Sequence, residues 1–312
     1  MRGKSMAANI GLLQRKLGLA SLIVLITPLC ACGVAAVPSL TPTPLGGGGQ
    51  IAFASDRDGS LHIYVMMPDG SDVRRLTDLA ADYWAPGWTS DGQRVVFRSQ
   101  FPGRFHIYSI TADGTDMVRL VDQSFGGSGA ALSPDGKRIA FDDLRGSQQD
   151  ICVIDVGDVK VERLTDDPVR QSSPAWSPDG GRIAFEAKPG DYLEIHVMKA
   201  DGSESSNLTD PGANSRMPAW SPDGRHIAFA SDLNGDYDIY VMGAGGGDVT
   251  RLTDDPARDH LPTWSPDGKR IAFVSERSGN PEIFVVDIHD RQLTRLTYHP
   301  ARDLWPAWSP SP

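Results

Sequence analysis

Trp264-Ser265-Pro266-Asp267-Gly268-Lys269-Arg270-Ile271-Ala272-Phe273, then Glu282-Ile283-Phe284-Val285-Val286-Asp287, is one pass of a pattern that recurs along this 312-residue chain. The step is 44 residues, as from Ile227 to Ile271, and it holds without insertion or deletion. The apolar triplet opens at Ile51, Val95, Ile139, Ile183, Ile227 and Ile271. A leucine keeps the same step at Leu76, Leu120, Leu164, Leu208, Leu252 and Leu296, four times inside Arg-Leu-Thr. Self-similarity at roughly 40–50 residues marks propellers and solenoids.

Each unit reads as four short strands. Ser265-Pro266-Asp267-Gly268 places Pro second and Gly fourth, as a type I turn wants them. Ile271–Ser275 and Glu282–Asp287 follow, separated by the polar Arg277-Ser278-Gly279-Asn280-Pro281, and Leu293–Thr297 is the fourth strand. Ile283-Phe284-Val285-Val286 shows no alternation, which implies cover on both faces. Small sheets packed face to face around an axis provide that cover. No 3.6-residue apolar period is present, which excludes a helical solenoid. The first unit begins at its second strand, and Pro306-Ala307-Trp308-Ser309-Pro310 supplies a first strand with nothing after it. The expectation is an all-β, six-bladed propeller over residues 50–312, closed by that last strand pairing into the first blade.

Residues 1–32 differ in character. Arg2, Lys4, Arg15 and Lys16 precede the uncharged Leu17–Leu29, a secretory-signal pattern. Leu29-Cys30-Ala31-Cys32 resembles a bacterial lipobox, with Cys32 as the lipidated residue. An uncleaved anchor over Leu17–Val37, or cleavage near Ala35 or Ala36, are the other readings. All three place the propeller outside the cytoplasm. Residues 33–49, with Pro38, Pro42, Pro44 and four consecutive glycines, have linker composition. Removing residues 1–32 removes four positive charges and no negative ones, so the formal −10 becomes −14. A chain this acidic lacks the basic footprint that nucleic acid requires. Cys152 stands where other units carry Tyr64, Tyr108, Tyr240 or Phe284, and it reads as a buried core residue.

The units closely resemble the WD-like propeller repeat of the TolB family, shared with propellers of prolyl-oligopeptidase-type enzymes and some polysaccharide-lyase-like proteins. The resemblance covers residues 50–312. It implies a six-bladed, extracytoplasmic, protein-binding propeller. The chain departs from TolB by having an anchor-like segment and linker where TolB carries an α/β domain.

Catalytic signatures are weak. Gly126-Gly127-Ser128-Gly129-Ala130 lacks the final Gly of a nucleophile elbow. Asp232, Asn234, Asp236 and Asp238 are spaced as calcium ligands could be, without the distal Glu of an EF-hand; the better reading is a turn. His62 and His106 begin a series continued by Asp150, Glu194, Asp238 and Glu282, expected as solvated strand starts. No transition-metal set emerges.

The loops between the fourth strand and the next first strand vary among units and should gather at one mouth of the channel. They carry Asp82, Tyr83, Trp84, Arg170, Arg216, Arg258, Asp259, His260, Arg302, Asp303 and Trp305. Arg, Trp and Tyr are anchor types of protein interfaces. The expectation is a tethered, monomeric, non-catalytic propeller without cofactor, binding an envelope protein or peptide there. The alternative is a carbohydrate-binding or carbohydrate-active propeller with Asp82, Asp259 and Asp303 as carboxylates.

Overall fold

The computed structural model describes residues 49–78, 81–100, 105–121, 129–145 and 148–310, all within one compact unit spanning 42–312. Cys32, the leader, nearly all of the linker and the loop 122–128 lie outside the described residues. Among the described residues, the strands form six antiparallel sheets of four.

Closure is as expected. In blade one the inner strand is Asp303–Trp308, followed outward by Ile51–Ser55, His62–Met66 and Arg74–Arg75. Ile51 opposes Trp308 and Ser55 opposes Asp303. The Gln50 N–H donates to Ser309 Oγ at 2.8 Å, sealing the seam. Blade five is Ser215–Trp220, His226–Ser231, Asp238–Gly243 and Thr250–Arg251; blade six is Asp259–Trp264, Arg270–Ser275, Glu282–Asp287 and Leu293–Arg295.

The core lies between blades. One cluster joins Phe53, Tyr64 and Met66 of blade one to Ile283, Val285 and Leu296 of blade six. Ile283–Val286 is buried throughout, which is why that strand shows no alternation. Each such side chain contributes about 1.5–3 kcal/mol on burial. Cys152 is buried in the corresponding cluster of blades two and three.

Repeated polar residues are tied locally. In the turn at Ser265, the hydroxyl donates to Asp267 at 2.6 Å and the Gly268 N–H to the Ser265 carbonyl at 2.9 Å. Gly268 sits at φ +67°, the conformation that favours glycine. Indole N–H groups lash four of the six inner strands to the preceding blade: Trp88 to the Ala307 carbonyl (3.0 Å), Trp176 to Ala131 (3.1 Å), Trp220 to Ala175 (3.2 Å) and Trp264 to Ala219 (3.1 Å).

The Arg-Leu-Thr triplet acquires a role that local pattern does not show. His62, His106, Asp150, Glu194, Asp238 and Glu282 are buried, contrary to the solvated strand starts expected. The acids tolerate burial because fourth-strand arginines reach them. Arg163 lies 2.6 Å from Asp150, Arg251 2.5 Å from Asp238 and Arg295 3.0 Å from Glu282. In blade four Asn207 takes the place of the arginine, and Glu194 lies 3.3 Å from His196 instead. The triplet threonine accepts the N–H of the buried isoleucine, as Thr253 does from Ile239 at 3.0 Å.

Candidate functional site at the channel

The six inner strands enclose a cavity of about 610 Å³. Its wall is Pro86, Pro218, Pro262 and Pro306, small residues such as Ala175 and Ala219, and the recurring tryptophans. These positions belong to the Trp-Ser-Pro half of each strand. This cavity therefore lies mainly on the side of the channel away from the variable loops.

Five of the six inner strands are bulged midway, the exception being Ala130–Leu132 of blade three, which pairs in unbroken register with Ile139–Phe141. The register shifts between Trp84 and Gly87, Ser172 and Ala175, Arg216 and Ala219, and His260 and Thr263. Ala85, Ser173, Met217, Leu261 and Trp305 sit at the bulges with φ of 49–57°. A left-handed residue other than glycine costs roughly 1–2 kcal/mol, so the surrounding packing holds these bulges in place. The bulge separates the regular Trp-Ser-Pro half from the variable half.

The predicted mouth residues divide into three groups. The first is structural. Tyr83 is buried edge-on against Phe97, ring centroids 5.4 Å apart. Asp259 and Asp303 are 0 % exposed. Arg277 binds Asp259 at 2.7 Å and Arg57 binds Asp303 at 2.9 Å. Burial holds the Asp259 carboxyl above its ordinary range, against the pull of Ser275, Thr253 and Arg277. Tyr83, Asp259 and Asp303 thus hold neighbouring strands of their own blades together rather than face solvent, which corrects their reading as displayed ligand groups.

A second group is at the surface with partners of its own. Asp82 accepts the Leu61 N–H at 3.1 Å. Arg302, 55 % exposed, donates to Asp56 at 2.8 Å. Arg170 donates to Gln149 at 2.8 Å, and Gln149 in turn donates to the buried Asp142. Trp84 packs edge-on against Phe105, centroids 5.7 Å apart, and both Trp84 and Trp305 are half-buried against the Tyr83 cluster.

The third group converges on one sector of blades four to six. The Arg258 guanidinium lies over the Tyr237 ring at 5.1 Å, and burial raises the Tyr237 pKa against the pull of the Arg216 and Arg258 charges. Arg216 Nε is 3.9 Å from Glu186, whose carboxylate accepts the Met217 N–H at 2.8 Å. His260 is 7 % exposed. Burial, then the Arg258 and Arg216 charges, push its pKa down to about 4, so it is neutral at pH 7. Arg216 Nε, Arg258 Nε and His260 Nδ1 are all buried without a hydrogen-bond partner.

Sequence reading missed three buried charges beside this ring: Arg98, Asp142 and Glu186. They follow the Ile-Ala-Phe-type triplet where other units carry Ala54, Ala230 and Val274. A charge in an otherwise apolar column of the repeat was the available signal. Arg98 stacks on Phe105 at 4.5 Å, and burial lowers its pKa while Asp142 raises it.

The four calcium candidates do not converge. The Asp238 carboxylate is held by Arg251 and Thr253, Asp232 by the Asn214 side chain at 2.8 Å, and Asn234 by the Tyr240 hydroxyl at 2.8 Å. Asp236 is exposed. Among the described residues no group of three or more His, Cys, Asp or Glu could hold a metal ion.

Residues 210–312 match the sequence profile of the TolB beta propeller domain, and residues 36–143 that of the dipeptidyl peptidase IV N-terminal region. No curated protein matches the chain in sequence. TolB from Acinetobacter baumannii superposes with a TM-score of 0.74 at 22% identity, over 84% of this chain and 67% of that one. A putative TolB from Agrobacterium tumefaciens gives 0.64 at 21%, over 85% and 94%. Oligogalacturonate lyase from Vibrio parahaemolyticus gives 0.58 at 15%, over 81% and 75%. The chain therefore carries a six-bladed β-propeller of TolB-like fold, with the TolB propeller sequence pattern itself legible in residues 210–312.

Proposed function

We propose that this propeller is tethered outside the cytoplasm through a lipid on Cys32 and binds a protein or peptide partner of the cell envelope at the channel mouth, as a monomer and without catalysis. The observation that carries the reading is the sector of Arg216, Arg258 and His260 with its three buried nitrogens that lack a hydrogen bond. An unsatisfied buried donor costs about 1–3 kcal/mol. An acceptor brought by a partner removes that cost. The half-buried Trp84 and Trp305 add the anchor chemistry of protein interfaces. The Ser60–His62 contact at 3.0 Å does not argue for a nucleophile, because the other His62 nitrogen faces the Thr77 hydroxyl rather than a carboxylate.

The test is capture from envelope extract by the wild-type chain and by an Arg216→Ala, Arg258→Ala variant of matched thermal stability. Loss of the captured species supports the site; equal capture sinks it. Fatty-acid labelling of wild type and Cys32→Ala decides the tether separately. A second reading is carbohydrate binding in the channel. Trp176, Trp220 and Trp264 on the cavity wall favour it, as does the fold shared with oligogalacturonate lyase. A glycan array without hits, together with no lyase or hydrolase activity, disposes of that reading.

A further inference from the structure

Blades one, five and six carry the same aromatic pair at the same place: Phe53 with Tyr64, Phe229 with Tyr240, and Phe273 with Phe284. In blades one and six an arginine of the chain closes over it. Arg57 lies 4.8 Å from the Tyr64 ring centre, and Arg277 5.2 Å from that of Phe284. Each guanidinium donates to a neighbouring serine, Ser55 at 3.0 Å or Ser275 at 2.8 Å. Each also binds a buried carboxylate, Asp303 or Asp259.

Blade five keeps the rings and the serine, Ser231, but the arginine position is Leu233 and the aspartate position is Ser215. The Leu233 side chain is 54 % exposed. A groove of about 430 Å³ is found here, with Phe229, Ser231, Ser215, Leu233, Asp210 and Gly246 on its wall. That volume falls in the range of small-ligand sites.

A second arginine is missing at the same groove. Arg75, Arg163 and Arg251 pair with the aspartates three residues on, Asp78, Asp166 and Asp254. In blade four Asn207 stands in that position, so Asp210 on the groove wall has no such partner. Two separate substitutions thus open one groove that offers an aromatic face, a hydroxyl and an unpaired carboxylate. Those are the groups a guanidinium takes up.

We propose that the groove between blades four and five binds an arginine side chain presented by a partner protein, which takes the place that Arg57 and Arg277 fill from within blades one and six. The carboxylate moves from the positions of Asp259 and Asp303 to Asp210, the serine contact stays, and Phe229 supplies the aromatic face, as Phe53 does beneath Arg57 at 5.2 Å. The site involves neither the channel nor the Arg216 sector, and it stands whether or not the mouth binds a peptide.

The full chain in detergent, methyl-labelled on Leu and Val, is titrated with N-acetyl-arginine amide, N-acetyl-lysine amide and N-acetyl-norleucine amide. The readout is the Leu233 and Val249 methyl shifts. The arginine amide should give saturable shifts, the lysine amide several-fold weaker binding, and norleucine none. Asp210→Asn, an exposed change, should weaken arginine binding roughly fivefold or more. Leu233→Arg with Ser215→Asp should fill the groove from within and abolish the shifts, its unchanged or raised Tm showing that it has folded. Equal response to norleucine, shifts that depend only on protein concentration, no saturable response to arginine, or unaltered binding by the double variant would each overturn the proposal.

Discussion

The two ends of the channel are built from the same six inner strands, yet they treat their polar groups in opposite ways. At the Trp-Ser-Pro end, the turn serine donates to its aspartate at 2.5–2.6 Å in blades three to six. Four indole N–H groups bind the preceding blade. At the mouth, Arg216, Arg258 and His260 retain buried nitrogens without partners. Repetition is what allows internal satisfaction, since a residue that bonds its neighbouring blade can do so again in the next; the exceptions at this end are Leu132, which replaces the tryptophan in blade three, and Trp308, whose indole nitrogen is buried without a partner. Variation leaves polar capacity over, and that surplus is available to a partner.

Substitution at the repeated end should cost most. Trp220→Ala removes a buried indole, its bond to Ala175 and the Arg182 stack at 4.4 Å. A loss of about 3–5 kcal/mol is expected by urea denaturation. A loss below about 1 kcal/mol would break the contrast between the two ends, because surface substitutions cost that little.

Next comes the pH response of the mouth. His260 has its pKa lowered from 6.5 to about 4. A base with a depressed folded pKa lets the unfolded chain bind more protons. Stability is therefore full above the unfolded value, falls as pH drops from about 6.5 towards 4, and levels below. The shift corresponds to roughly 3 kcal/mol. Relative to His260→Gln, the wild type should lose about that much between pH 7.5 and pH 4. Parallel curves would show that the sector is not desolvated.

Between the two ends lie the bulges. Ala85 sits at φ 49°. Ala85→Gly relieves left-handed strain and adds unfolded-state entropy, for a net gain of roughly 0.5–1 kcal/mol. A calorimetric Tm no higher than wild type would show that the bulge is unstrained. The smallest effect is expected from Arg258→Leu, which removes an unpaired buried nitrogen together with its contact to Tyr237. Stability should stay within about 1 kcal/mol, as for a change whose gain and loss offset. A larger fall would mean that Arg258 holds the fold together and is not held in surplus.

Much of the architecture was legible in sequence. Ser265-Pro266-Asp267-Gly268 encodes its own turn, and Ile283–Val286 reports two covered faces, because both depend on neighbours in sequence. The division of the mouth was not legible. Tyr83, Asp259 and Asp303 share one column of the repeat with Gln171 and Ser215, yet an aromatic there packs and an aspartate there is buried. Asp303 can be buried because Arg57, 246 residues away, donates to it. The same holds for Asp238 and Arg251 on different strands, and for that reason the expected solvated strand starts are buried.

The sequence by itself determined the number of blades, the turn at each Ser-Pro-Asp-Gly and the offset that makes the last strand complete the first blade. Those follow from period, local dihedral preference and apolar patterning, which are short-range. Only the tertiary structure decided which charges are spent and which are left over. A charge can be buried only where another strand neutralises it, and that pairing depends on which strands the blade brings side by side and in what register. Arg57 closes its slot on Asp303, while Leu233 and Asn207 leave Asp210 facing an open one.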